Sequence, residues 1–77
     1  MPKRVKQTVA AEIFIANLRR LVPIGRQAPI SRKIGMHPHS ISRWLNRLVV
    51  VNPTLETIHK LAGALDVDMR ELLRPPK

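Results

Sequence analysis

Between Gln27 and Asn46 the chain is interrupted at Gly35 and Pro38, which leaves two segments of about two helical turns each. A glycine takes the left-handed conformation that ends a helix cheaply. A proline suits the first turn of the next helix, because its φ is already set and its missing N–H would have had no intrahelical acceptor. The stretch predicts a helix over about 27–34, a glycine turn, and a second helix over about 38–47. Two helices joined so tightly must pack against each other, and this limits the rest of the fold to elements that can cover their shared apolar side.

The remaining punctuation is also helical. Thr8 can cap a helix running to about Leu21, its hydroxyl accepting from an otherwise orphaned backbone N–H. Glu12 near the start and Arg19 and Arg20 near the end complement the helix dipole. Phe14, Leu18 and Leu21 recur at i, i+4 and i+7 and predict a buried stripe. Pro23 and Gly25 end that helix. After a connector over 47–53, Thr54 caps a fourth helix over about 55–65, with Leu55, Ile58, Leu61, Ala62 and Leu65 on one face. Asp68 and Glu71 have capping-box spacing for a short last helix, and Pro75 and Pro76 stop it. Period-two alternation is almost absent. The expectation is an all-α, compact five-helix domain over 8–74, with a basic flexible arm over 1–7 and a tail over 75–77.

Seventy-seven residues suffice for one small domain. The chain has no cysteine, which excludes disulfide frameworks, thiolate metal sites and thiol catalysis. The basic N-terminus superficially resembles a signal peptide, but Glu12 interrupts the apolar stretch and Arg19 and Arg20 close it. No run approaches the ~20 apolar residues of a membrane span. A soluble, cytoplasmic and nucleoid-associated protein is expected. The net charge is +9 and is polarised. Residues 1–50 hold ten Lys and Arg against Glu12 alone, whereas residues 51–77 hold four against four acids. All the excess lies in the part that contains the two linked helices, which points to a polyanionic partner.

A helical wheel of the third helix separates its side chains. Ile41, Trp44, Leu45 and Leu48 fall on one side, and His39, Arg43 and Asn46 on the other. The exposed types suit nucleobase edges: Arg can bond guanine O6 and N7 together, Asn can bond adenine N6 and N7, and an α-helix fits the major groove.

The stretch resembles the Cro/C1-type (XRE-like) helix-turn-helix of phage repressors and bacterial transcriptional regulators. The resemblance is carried by Gln27, Ile30, Ser31, Ile34-Gly35-Met36 and Ser40-Ile41-Ser42-Arg43-Trp44, and it continues through Pro53 to Asp68. It implies a lambda-repressor-like fold and a sequence-specific regulator of double-stranded DNA. It also implies a Cro-like repressor that binds a pseudo-palindromic operator as a homodimer, with no cofactor. His39 and Arg43 match base-reading positions. Gln27, Ser40 and Asn46 match backbone-contacting positions, and Arg20 matches an arginine that supports the motif or meets phosphate. Lys3, Arg4, Lys6, His37 and Arg47 complete the expected backbone-contacting or supporting set. Leu45 replaces a frequent Glu, which removes an ion pair to Arg20 and frees that arginine for phosphate. Arg47 replaces a frequent Gly, so a longer or differently directed third helix is expected. Pro38 occupies a position where some members read a base, which shifts specificity onto His39 and Arg43.

Competing readings are weaker. His37-Pro38-His39 lacks the Cys or carboxylate company of a zinc site. Ser31, Ser40 and Ser42 have no visible base or oxyanion device, so neither an enzyme nor a small-molecule substrate is expected. Trp44 lies on the apolar side, and with Phe14 as the one other aromatic there is no stacking platform for single strands. In Leu48-Val49-Val50-Val51, Leu48 reads as core. The valines, together with Leu65–Leu73, read as a subunit contact. An antitoxin or accessory subunit of the same fold is the alternative function. A basic helix at an acidic membrane surface fits poorly, because the first helix carries Glu12 and Asn17.

Overall fold

The computed structural model describes residues 4–76. Met1 to Lys3 and Lys77 lie outside them, and Lys3 of the expected backbone set with them. Five helices follow in order: α1 Val9–Leu21, α2 Gln27–Lys33, α3 Ser40–Leu45, α4 Leu55–Leu65 and α5 Arg70–Leu73. No strand occurs among the described residues. The radius of gyration of 11.6 Å matches the about 11.5 Å of a compact domain of this length.

The predicted caps form. Thr8 accepts from the Ala11 N–H at 3.1 Å, and Thr54 accepts from the Thr57 N–H at 3.2 Å. Each satisfies one of the donors that a helix start leaves unpaired. Asp68 accepts from the Arg70 N–H at 2.9 Å, whereas Glu71 turns away from the expected reciprocal cap and pairs with Arg20 and Arg74.

α2, α3 and α4 all end in the same way. The N–H five residues on reaches back to the carbonyl that opens the last turn: Met36 to Ser31, Leu48 to Arg43 and Val67 to Ala62. The residue just before each of these donors has positive φ: Gly35 at +77°, Arg47 at +55° and Asp66 at +57°. This is the Schellman arrangement. Glycine takes it without steric cost, whereas an arginine needs compensation, and Arg47 finds it in Glu12.

α1 is the central element. It packs on α3 and α5, while α2 packs on α3 and α4. Phe14, Ile15 and Leu18 of α1 meet Ile34, Ile41, Trp44, Leu45, Ile58, Leu61 and Leu72 in one core. Phe14 and Trp44 stack edge to face with centroids 5.8 Å apart, the geometry that their quadrupoles favour. Asn17 is also fully buried, and its amide donates to the Arg74 carbonyl at 2.7 Å, which fastens the end of α5 to α1.

Several expectations are corrected. Leu48 stands 36% exposed and Val51 is buried, so the core residue of the connector is the last valine and not the leucine. The Schellman reversal at Arg47 breaks the helical phase that would carry Leu48 inward. Leu55 is 73% exposed, because the apolar stripe of α4 runs one turn past the edge of the core. The flexible arm does not extend to residue 7. The Val5 N–H donates to the Arg47 carbonyl at 2.8 Å, and the Gln7 amide donates to the Val49 carbonyl and accepts from the Val51 N–H, both at 2.8 Å. The connector has no strand beside it, and the Gln7 side chain satisfies its backbone in place of one.

Candidate nucleic-acid interface

α2 and α3 are locked together by Ser31. This side chain is fully buried between them. Its hydroxyl donates to the Gln27 carbonyl at 2.8 Å and accepts, at 3.4 Å, from the Ile41 N–H. One small polar side chain therefore closes a bond within α2 and meets one of the unpaired donors at the start of α3. A larger residue would force the helices apart.

α3 is shorter than the expected 38–47. It begins at Ser40, with Pro38 and His39 in the turn before it. His37 has a role here that its sequence position does not reveal. Its Nδ1 accepts from the His39 N–H at 3.1 Å, so the neutral imidazole carries its proton on Nε2. The two imidazoles lie 5.2 Å apart and both residues are exposed.

The far end of α3 is closed by two arginines from outside the motif's own turn. Arg19 of α1 donates to the Leu45 carbonyl at 2.7 Å, one of the acceptors that the helix end leaves open. Arg47 grips Glu12 of α1 through Nε at 2.8 Å and Nη2 at 2.6 Å. The hydrogen bond from Arg47 holds the Glu12 carboxyl below its ordinary value, and the same contact raises the Arg47 guanidinium. The expected longer or redirected third helix does not occur, because the Glu12 pair holds Arg47 in the glycine-like conformation. In the sequence Arg19 reads as a dipole partner of its own helix, and nothing local marks its reach across to α3.

Buried Ile41, Trp44 and Leu45 turn the opposite side of α3 outward. His39, Arg43 and Asn46 are exposed, and Ser40 is half-buried at the helix start. The Asn46 amide bonds back to the Ser42 carbonyl at 2.9 Å, which leaves its Oδ1 as the outward acceptor. Gln27, half-buried, opens α2. Arg20 pairs with Glu71 at 3.3 Å, so the loss of a carboxylate at position 45 has not left it free.

The pairing pattern sharpens the charge asymmetry. Arg20, Arg47, Lys60, Arg70 and Arg74 each have a carboxylate partner. Among the described residues Arg4, Lys6, Arg19, Arg26, Arg32, Lys33 and Arg43 have none, and all seven are exposed. They belong to α2, α3, the end of α1 that reaches α3, the turn before α2 and the segment beside the exit of α3. Unpaired positive charge and the polar side of α3 thus occupy the same part of the molecule. Among the described residues no group of three His, Asp or Glu side chains could hold a metal ion, and no helix is long and apolar enough to cross a membrane.

A helix-turn-helix family model matches residues 25–72, from the turn before α2 to the middle of α5. The chain belongs to the helix-turn-helix family. It is a DNA-binding regulator of transcription. Its fold is similar to that of the SOS-response transcriptional repressor LexA from Eubacterium rectale, with a TM-score of 0.77 and 20% identity over 95% of this chain and 78% of that one. It is also similar to a hypothetical transcription factor, NHTF, from Neisseria, with a TM-score of 0.62 and 23% identity over 99% of this chain and 92% of the other. At these identities the likeness is one of fold. No curated protein matches the chain.

Proposed function

We propose that this helix-turn-helix regulator is a sequence-specific, Cro-like repressor that binds a pseudo-palindromic operator as a homodimer. The observation that carries the reading is the outward face of α3, where His39, Arg43 and Asn46 stand exposed amid cations that no carboxylate neutralises. α3 enters the major groove. Arg43 reads a guanine through its guanidinium fork, and His39 reads the neighbouring base with its exposed imidazole, which can donate or accept. Pro38, which cannot donate, limits that end of the reading surface to apolar contact.

Backbone contacts fix the register. Gln27 and Ser40 meet phosphate from the two sides of the glycine turn, and Asn46 does so at the end of α3 by turning its exposed amide N–H away from Ser42. Lys6 and Arg4 approach the duplex from the segment fastened beside the connector. The tie from Arg20 to Glu71 is exposed and long, and weak enough for phosphate to compete with it. Arg47 supports the surface indirectly by holding α3 to α1. In a dimer the two reading helices meet half-sites about 34–36 Å apart, one turn of the duplex.

Selection of bound duplexes from a random pool tests the reading. The expected product is a two-fold symmetric consensus with its half-sites one turn apart. No enrichment over the starting pool would overturn it.

A further inference from the structure

The exit of α3 is a poor place for a phosphate unless a cation stands there. A helix C-terminus carries partial negative charge on carbonyls that point outward. The carbonyls of Ser42, Arg43 and Trp44 accept from the N–H groups of Asn46, Leu48 and Arg47. The Leu45 carbonyl instead takes its hydrogen bond from another helix, from Nη2 of Arg19 at 2.7 Å. The other charges nearby cancel, because the Glu12 carboxylate clasps Arg47. Asn46 is neutral, and its amide reaches a phosphate only by leaving Ser42. Without Arg19 this end of the helix would repel the backbone of a duplex.

Arg19 supplies the missing charge. It is exposed, and among the described residues it has no carboxylate partner. A guanidinium presents five N–H donors in a rigid fork, and the Leu45 carbonyl engages Nη2 alone. A fork already anchored at one corner loses little further freedom when an anion meets it. Its position is equally defined. The Leu45 carbonyl and the Asn46 nitrogen belong to one peptide unit, so the guanidinium lies at the foot of Asn46. Arg20 goes the other way. Consecutive residues of a helix point about 100° apart. Arg20 accordingly reaches Glu71 of α5 at 3.3 Å, while Arg19 reaches α3. The two arginines look alike in the sequence, and the packing of α1 separates their roles.

We propose that Arg19 is a phosphate-binding residue of this regulator. Its Nη2 holds the Leu45 carbonyl, and its remaining donors, beside Asn46, take a phosphate of the duplex at the exit of α3. The proposal rests on the reading of α3 as the helix that enters the major groove, and it adds a contact from α1 that the motif itself does not contain. The same side chain then binds the reading helix, the central helix of the core and the duplex. A phosphate carries no sequence information, so Arg19 contributes affinity and register and leaves base preference to α3.

Salt titrations of binding to a fluorescent mixed-sequence duplex test this, each run well below the melting temperature of the variant. Arg19→Gln and Arg19→Ala should each flatten the plot of log affinity against log salt by about 0.9 per bound chain, the loss of one phosphate contact. Arg19→Lys keeps the charge and should keep the wild-type slope. Arg74→Gln removes an equal charge at the end of α5, where Glu71 already pairs with it, and should leave the slope unchanged. A residue that only clipped the Leu45 carbonyl would give another pattern, because Gln and Lys both retain a donor for that carbonyl. Equal slopes for Arg19→Gln and Arg19→Lys would therefore overturn the proposal. Equal flattening by Arg74→Gln would do the same, since net charge alone would then account for the effect. A wild type without affinity for the duplex at low salt would overturn the DNA reading and this contact together. A wild type that binds, with Arg19→Gln and Arg19→Ala keeping its slope, would overturn this contact alone.

Discussion

The guanidinium of Arg47 bridges both carboxylate oxygens of Glu12, thirty-five residues earlier in the chain, while its backbone adopts the left-handed conformation at φ +55°. One contact thereby ties the exit of the reading helix to the first turn of α1. The carboxyl of Glu12 is held below its ordinary value of 4.5, chiefly by the hydrogen bond from Arg47. A group whose folded value is depressed adds stability above its unfolded value and loses it as pH falls through the folded one. The melting temperature should therefore be flat above about pH 5 and fall progressively below about pH 4.5. Asp68, lowered by the Arg70 side chain and N–H, titrates in the same direction. Glu12→Gln should weaken the acid limb without abolishing it. Thermal melts of both proteins between about pH 3 and pH 7 test this, and identical acid limbs would rule out the pair as a contributor.

The backbone at Arg47 gives a second, opposite-signed test. Arg47→Ala removes the ion pair with Glu12 and leaves a Cβ at positive φ. Arg47→Gly removes the same pair but relieves the strain. The glycine variant should be the more stable of the two by about 1 kcal/mol. Denaturant melts supply the comparison. Equal stability would mean that the left-handed conformation costs nothing here, or that the Schellman closure rearranges in the alanine variant.

Reading and anchoring should separate in binding data. Arg43→Ala is expected to cost about 1–3 kcal/mol at a single base pair and to relax preference there. Lys6→Ala should weaken all sequences alike. It should also flatten the plot of log affinity against log salt by about 0.9 for each phosphate that the variant no longer neutralises. Arg20→Ala should change that slope less, because Glu71 already engages Arg20. Anisotropy titrations on matched and single-mismatch duplexes at several salt concentrations measure both effects. Undiminished discrimination by Arg43→Ala would remove that residue from the reading set.

The five helices are legible in the sequence because their ends are local chemistry. Thr8 and Thr54 cap, Gly35 turns, and Pro75 stops, although Pro38 lies in the turn before α3 and not in its first position. The outward face of α3 is legible for a related reason, since periodicity places Ile41, Trp44 and Leu45 inward and leaves His39 and Arg43 opposite. Periodicity fails where helical phase ends. Leu48 and Val51 exchange roles because the reversal at Arg47 resets the direction of the chain. Leu55 keeps its phase but outruns the core. Contacts between distant segments are not legible at all. Glu12 with Arg47, Arg19 with the Leu45 carbonyl, and Gln7 with the connector each join groups that become neighbours only after α1 has packed. Arg47 reads as a phosphate contact for this reason, because a free arginine and a clasped one look alike in sequence.

Ser31 offers a test of how closely the angle between α2 and α3 governs recognition. Its hydroxyl is enclosed and serves both helices, so Ser31→Ala deletes two hydrogen bonds but adds no bulk. The expected loss of stability is about 1–3 kcal/mol, the usual cost of leaving buried groups unpaired. Ser31→Val adds a methyl to the same gap and cannot supply the hydroxyl. It combines that loss with overpacking, typically about 1–3 kcal/mol more. The alanine variant, which keeps the spacing, should retain its base preference at a temperature where it is fully folded. The valine variant should lose part of that preference, because pushing α3 outward moves His39 and Arg43 away from the base edges. Duplex selection with each variant, alongside melting curves, separates the two effects. If Ser31→Val reads the same consensus as the wild type, the seating of α3 on α2 is not what sets specificity.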